Sequence, residues 1–186
     1  MNLKIPAWMA ILTPVILIYN MFMGMMSTFN PTQTNILMYN GGLAAAMIAT
    51  IFICLGYVRI AKINNMSFLM VVAYITIASI IMRSAYYIYV SNSINNMSHY
   101  PFNFNILIIS LLAGLFMAVA YILLGIGILK LKTVFGGLAT GLGILYIVSG
   151  GFIITILFGL IVPFVMMAVH IMEAILFFNA SHRYDK

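Results

Sequence analysis

The sequence predicts an all-α fold, a polytopic membrane bundle of six transmembrane helices with N- and C-termini cytoplasmic. Three observations predict it. The composition is 65% apolar and only 5% charged, the apolar residues fall into runs long enough to cross a bilayer, and seven of the eight basic residues, all but Arg83, fall in alternate connections. A soluble domain carries roughly 25% charged residues, and a disordered chain is poor in apolar ones, so both classes are excluded. At 186 residues the chain forms a single integral membrane domain.

A hydrocarbon core about 30 Å thick takes about 20 residues of helix. The first such run, 6–26, follows a lone Lys4 and contains Pro14. It lacks a small-x-small cleavage site before a soluble domain, so it reads as a helix rather than a signal peptide. The second, 36–58, carries Gly41, Ala45 and Ala49 four residues apart on one face, the spacing that lets two helices approach closely in lipid. The third, 67–90, carries a polar stripe of Thr76, Ser79, Arg83 and Tyr86 or Tyr87. The fourth spans 105–129. The stretch after it holds two crossings, 133–157 and 160–179, the former with close-approach pairs Gly137/Gly141 and Ala139/Gly143. Two turns between them are open, one at Ser149-Gly150-Gly151 and one at 159–163; the second is preferred because Pro163 then falls in a first helical turn, where its missing N–H costs nothing.

Charge placement supports the count independently. Lys4, Arg59, Lys62, Lys130, Lys132, Arg183 and Lys186 all fall on one side of a six-helix topology. The connections on the other side contain no Lys or Arg, and by the positive-inside rule the basic side, with both termini, is cytoplasmic. Trp8 and Tyr57 then lie at the inner interface, and Tyr86, Tyr87, Tyr89 and Tyr100 at the outer one. The polar segment 91–105 reads as a connector or a short lid. The net charge of +6 is scattered between apolar runs rather than gathered on a solvated face, which excludes nucleic acid as a partner.

The residues that are expensive in lipid are the informative ones. Arg83, His170 and Glu173 lie within the spans, and such groups face the bundle interior or a water-filled cavity by default. They are therefore the candidate ligand-binding residues. His170 and Glu173, three apart, share a helix face, with Phe177 one turn on. At about 1.5 Å per residue, Arg83 lies roughly 9 Å and Glu173 roughly 20 Å below the outer helix ends. That gap leaves three readings open: a strained direct pair in a structural network, a ligand or proton site, or Arg83 snorkelling outward and Glu173 inward.

Catalytic and cofactor patterns are missing. Bis-imidazole haem needs two intramembrane histidines, whereas His99 and His182 lie outside the spans. One His and one Glu do not build a zinc site, the lone Cys54 can form neither a disulfide nor a thiolate cluster, and the 16 methionines read as flexible apolar filler. A hydrolase drawn from Ser149 and His170 lacks a third orienting group. No metal, cofactor or catalytic residue is predicted.

The order of features resembles an uncharacterised family of small six-helix prokaryotic integral membrane proteins, a domain of unknown function. The resemblance rests on Gly56-Tyr57-Val58-Arg59 running into Lys62-Ile63-Asn64-Asn65, on Arg83, on Leu123-Leu124-Gly125-Ile126-Gly127 before Lys130-Leu131-Lys132, and on Gly143-Ile144-Leu145-Tyr146 followed by Glu173. It implies the fold and no activity. The size is also similar to that of the substrate-binding subunits of some vitamin transporters. The function expected is a non-enzymatic cell-membrane protein that binds or transports a small solute or lipid-like ligand within the bundle. The alternative is an accessory subunit of a larger membrane complex, with a membrane-protein partner or a second copy of itself against its small-residue stripes.

Overall fold

The computed structural model describes residues 2–30, 32–96, 104–155 and 161–185. They form helices α1 (Lys4–Phe29), α2 (Gln33–Ile63), α3 (Ser67–Asn96), α4 (Phe104–Leu129), the single turn α5 (Lys132–Phe135), α6 (Gly137–Ile154) and α7 (Val162–Tyr184). The fold is all-helical, and six of these helices are long and apolar enough to cross a membrane. The termini of the described chain meet at one end of the bundle, where the Leu3 N–H donates to the Asp185 carboxylate at 2.8 Å.

Several helices run past the apolar segments that predict them. α2 continues through Arg59 and Lys62 to Ile63, and α3 continues to Asn96, because hydropathy marks where lipid ends and not where backbone hydrogen bonding ends. Local chemistry sets the actual boundaries. Thr32 caps α2 by accepting the Asn35 N–H at 3.2 Å. The α2–α3 link turns at Asn65 with φ 55°, a conformation asparagine tolerates better than most residues. Gly136, with φ 60° and ψ −136°, separates α5 from α6 in a region open essentially to glycine alone. The 133–157 segment is thus two elements in space. Ser149, Gly150 and Gly151 are helical within α6, so no turn forms there; Pro163 lies in the first turn of α7, and residues 156–160 are outside the described set.

The long helices pack as a closed ring in chain order, α1–α2–α3–α4–α6–α7 and back to α1. Its interior is filled in the half that holds the termini. Ile53, Tyr57 and Ile60 of α2, Leu124 and Ile128 of α4, Leu142 of α6, and Leu176 and Phe177 of α7 are buried there. Gly56 sits between the Phe177 ring and Pro6, where a Cβ would approach both within 2.8 Å.

The closest joint is between α4 and α6. A Cβ on Gly125 would stand 2.6 Å from the Gly143 carbonyl oxygen, one on Gly143 would stand 2.8 Å from that of Gly125, and one on Gly150 would stand 2.7 Å from that of Ala118. Gly125 and Ala118 are one heptad apart, as are Gly143 and Gly150, so two antiparallel helices touch backbone to backbone at successive turns of contact. Of the stripes expected from spacing, Ala139 and Gly143 are buried, whereas Gly41 and Gly137 have nothing within 4 Å of a Cβ. On α2 the close approach is at the next residue, Gly42, against Asn20 and Tyr19.

Candidate functional site

Glu173 lies at the middle of α7 and is 0% exposed. A carboxylate in an apolar interior needs hydrogen-bond donors, and three side chains supply them. The Tyr57 hydroxyl of α2 donates to Oε1 at 2.9 Å, the Tyr146 hydroxyl of α6 donates to the same oxygen at 2.5 Å, and His170 Nδ1 lies 2.7 Å from Oε2. Glu173 therefore draws together three helices of the ring. All three partners are themselves 2% exposed or less. Tyr57 stacks tilted against Phe177, with centroids 5.0 Å apart, and Tyr146 meets Tyr121 edge-on at 5.5 Å. These contacts fix the rings so that the hydroxyls aim at the carboxylate.

Glu173 does not reach toward the end of the bundle, and Tyr57 is not an interfacial residue. Of the readings left open for Glu173, inward snorkelling does not occur, because its three donors lie inside the ring of helices; Tyr57, expected at the inner interface, is 0% exposed there with its hydroxyl on that carboxylate. Trp8, by contrast, is 57% exposed, resting edge-on against Phe178.

Directly beside this cluster, in the half of the ring away from the termini, is a cavity of about 780 Å³. Its lining runs from Thr13, Thr50 and His170 up to Gly24, Tyr39 and Tyr87. Arg83 and His170 both line it. Because Nδ1 is committed to Glu173, the ring nitrogen that His170 can offer to the cavity is Nε2. Arg83 is partly buried, with its guanidinium carbon 5.4 Å from the centroid of the Tyr87 ring. Among the described residues it makes no ion pair with Glu173. With α3 extended to Asn96, Arg83 lies about 13 residues, or roughly 20 Å, from that end of its helix. The apolar span of α3 itself ends at Val90, 7 residues or roughly 10 Å from Arg83, close to where the sequence reading places it.

The rest of the α3 stripe is self-satisfied. Thr76 and Ser79 hydroxyls donate to the carbonyls of Val72 and Ile75 on their own helix, and Tyr86 bonds Ser110 at 3.1 Å. Ser149 likewise donates back to Leu145 at 2.8 Å, which removes it from any pairing with His170. Cys54 is buried. Among the described residues no group of three His, Cys, Asp or Glu could hold a metal. Tyr89 is exposed, and Tyr100 falls outside the described residues. A smaller groove on the outside of α1 and α2, between Val15, Tyr19, Gly41 and Ala45, has no charged side chain.

No family model, curated protein or solved structure matches the chain.

Sequence reasoning finds His170 and Glu173 but misses Tyr57 and Tyr146. The signal that could have found them is the carboxylate itself. A lone Glu in an apolar helix demands donors, and tyrosines well inside other helices are the natural suppliers.

Proposed function

We propose that the protein is a multi-pass cell-membrane protein, with both termini cytoplasmic, that holds a small ligand inside its helix ring. Arg83 and His170 face the ligand, and Glu173 orients His170 from behind. The orientation follows from the basic residues gathered at the end with the termini; the cavity then lies in the half toward the outside. The observation that carries the reading is that the cationic side chain of α3 and the histidine of α7, which lipid alone would not accommodate cheaply, line one cavity of a size suited to a small organic molecule.

Native mass spectrometry of the protein released gently from its own membrane tests this. The expected result is a retained small-molecule mass, lost in Gly114→Phe, since Gly114 lines the cavity and has nothing within 4 Å of a Cβ. A ligand-free chain held in stoichiometric complex with another membrane protein overturns the reading in favour of an accessory subunit.

A further inference from the structure

Taking the cavity as a ligand site, we infer that its ligand is a small amphipathic anion, one negatively charged head with an apolar remainder. The inference rests on the proposed ligand-binding function and narrows it to a chemical class.

Among the described residues, Arg83 is the only Lys, Arg, Asp or Glu lining the cavity. Its guanidinium has five donors in a planar fork and no acceptor capacity. Among the described residues none of those donors has a hydrogen-bond or ion-pair partner, and the Tyr87 ring centroid lies 5.4 Å from the guanidinium carbon. Glu173 is not that partner. Its oxygens are already occupied by Tyr57, Tyr146 and His170, and it does not line the cavity. A cation without an anionic partner among the described residues, in a cavity walled mostly by apolar side chains, attracts one anionic group with a pair of acceptor oxygens. The wall also carries the hydroxyl-bearing side chains of Tyr39, Ser84 and Tyr121 as further donors.

The remaining wall selects what the head is attached to. Leu17, Leu43, Met47, Leu115 and Met166 face the cavity from four helices, and an apolar wall of this extent favours hydrocarbon over a sugar or a polyanion. A multiply charged ligand would leave charges without counter-ions, because no second Lys or Arg lines the space.

Purified protein in phosphatidylcholine nanodiscs, titrated with dansyl-labelled undecanoate and corrected with empty nanodiscs, provides the test. Competitors are decanoate, decyl phosphate, decanol and decyltrimethylammonium. The expected result is saturable binding, displacement by the two anions about tenfold or more tighter than by decanol, and loss of that preference in Arg83→Gln but not Arg83→Lys. Tighter decanoate assigns a carboxylate head and tighter decyl phosphate a phosphate ester, and both uphold the class. If all four competitors displace equally in the wild type, or the cation displaces best, the class is overturned while the cavity remains a ligand site. If no probe binds above empty nanodiscs in a chain of wild-type thermal stability and helix content, this inference is overturned. The ligand reading itself also falls if the native protein carries no small molecule.

Discussion

The Tyr57 hydroxyl donates to the Glu173 carboxylate across 116 residues of chain, and this bond ties α2 to α7, two helices that are not neighbours around the ring and meet through the side chains in its interior. The Tyr146 hydroxyl shares the same acceptor oxygen from α6. Removing either hydroxyl leaves Glu173 with one donor on that oxygen, and removing Glu173 leaves two buried hydroxyls with no acceptor.

Glu173→Ala should therefore cost about 3–5 kcal/mol, as removal of one partner from a buried charged network does. Tyr57→Phe and Tyr146→Phe should each cost about 1–2 kcal/mol, above the average for hydrogen bonds in lipid because the acceptor is a carboxylate. The double variant should be non-additive, since the two share an oxygen. Reversible unfolding of the four proteins of this cycle in mixed micelles gives the coupling directly, and strict additivity would show that the hydroxyls act independently.

The α4–α6 joint makes a sharper contrast. Gly125→Ala and Gly150→Ala each drive a methyl into a neighbouring carbonyl oxygen and should destabilise by about 1–3 kcal/mol. Gly41→Ala and Gly151→Ala meet open space and should be neutral or slightly stabilising. Melting temperatures of the four alanine variants, measured side by side, check the ordering.

At the terminal end, Asp185 accepts from Arg59 at 2.6 Å and from the Leu3 N–H at 2.8 Å, while Tyr184 donates to Asn64 at 3.2 Å. Asp185→Asn removes the charge from a side chain 9% exposed and should cost about 1–2 kcal/mol. Limited proteolysis of the last turn of α7 should accelerate in that variant, and unchanged cleavage would mean that the pair holds nothing in place.

Membrane orientation has its own readout. In a Cys54→Ala background, Ser84→Cys should react with a membrane-impermeant maleimide added from outside intact cells, and Lys62→Cys only after the cells are opened. Native Cys54 is 1% exposed and should not react from either side in the folded protein.

Much of the architecture was legible in the sequence. The six long helices, the first-turn position of Pro163 and the proximity of His170 to Glu173 follow from run length, proline chemistry and helical spacing. Helix ends were not legible, because α2 keeps its backbone bonds through Arg59 and Lys62 after the apolar run stops. Tyr57, expected in an interfacial belt, lies in the core because its face of α2 turns toward Phe177 and Glu173. The Gly42 contact was also hidden, since four-residue spacing marks Gly41 equally well and only the rotation of α2 against α1 distinguishes them. The pairing of Glu173 with tyrosines on α2 and α6 depends on how the ring closes, which no local pattern encodes.

The sharing of one oxygen by Tyr57 and Tyr146 also bears on the order of synthesis. Both tyrosines precede Glu173 in the chain, Tyr57 by 116 residues, which at about 5–20 residues per second is a lead of roughly 6–23 s on the ribosome. The acidic side chain within the spans thus arrives in the final helix, when the two hydroxyls that receive it have already been laid down.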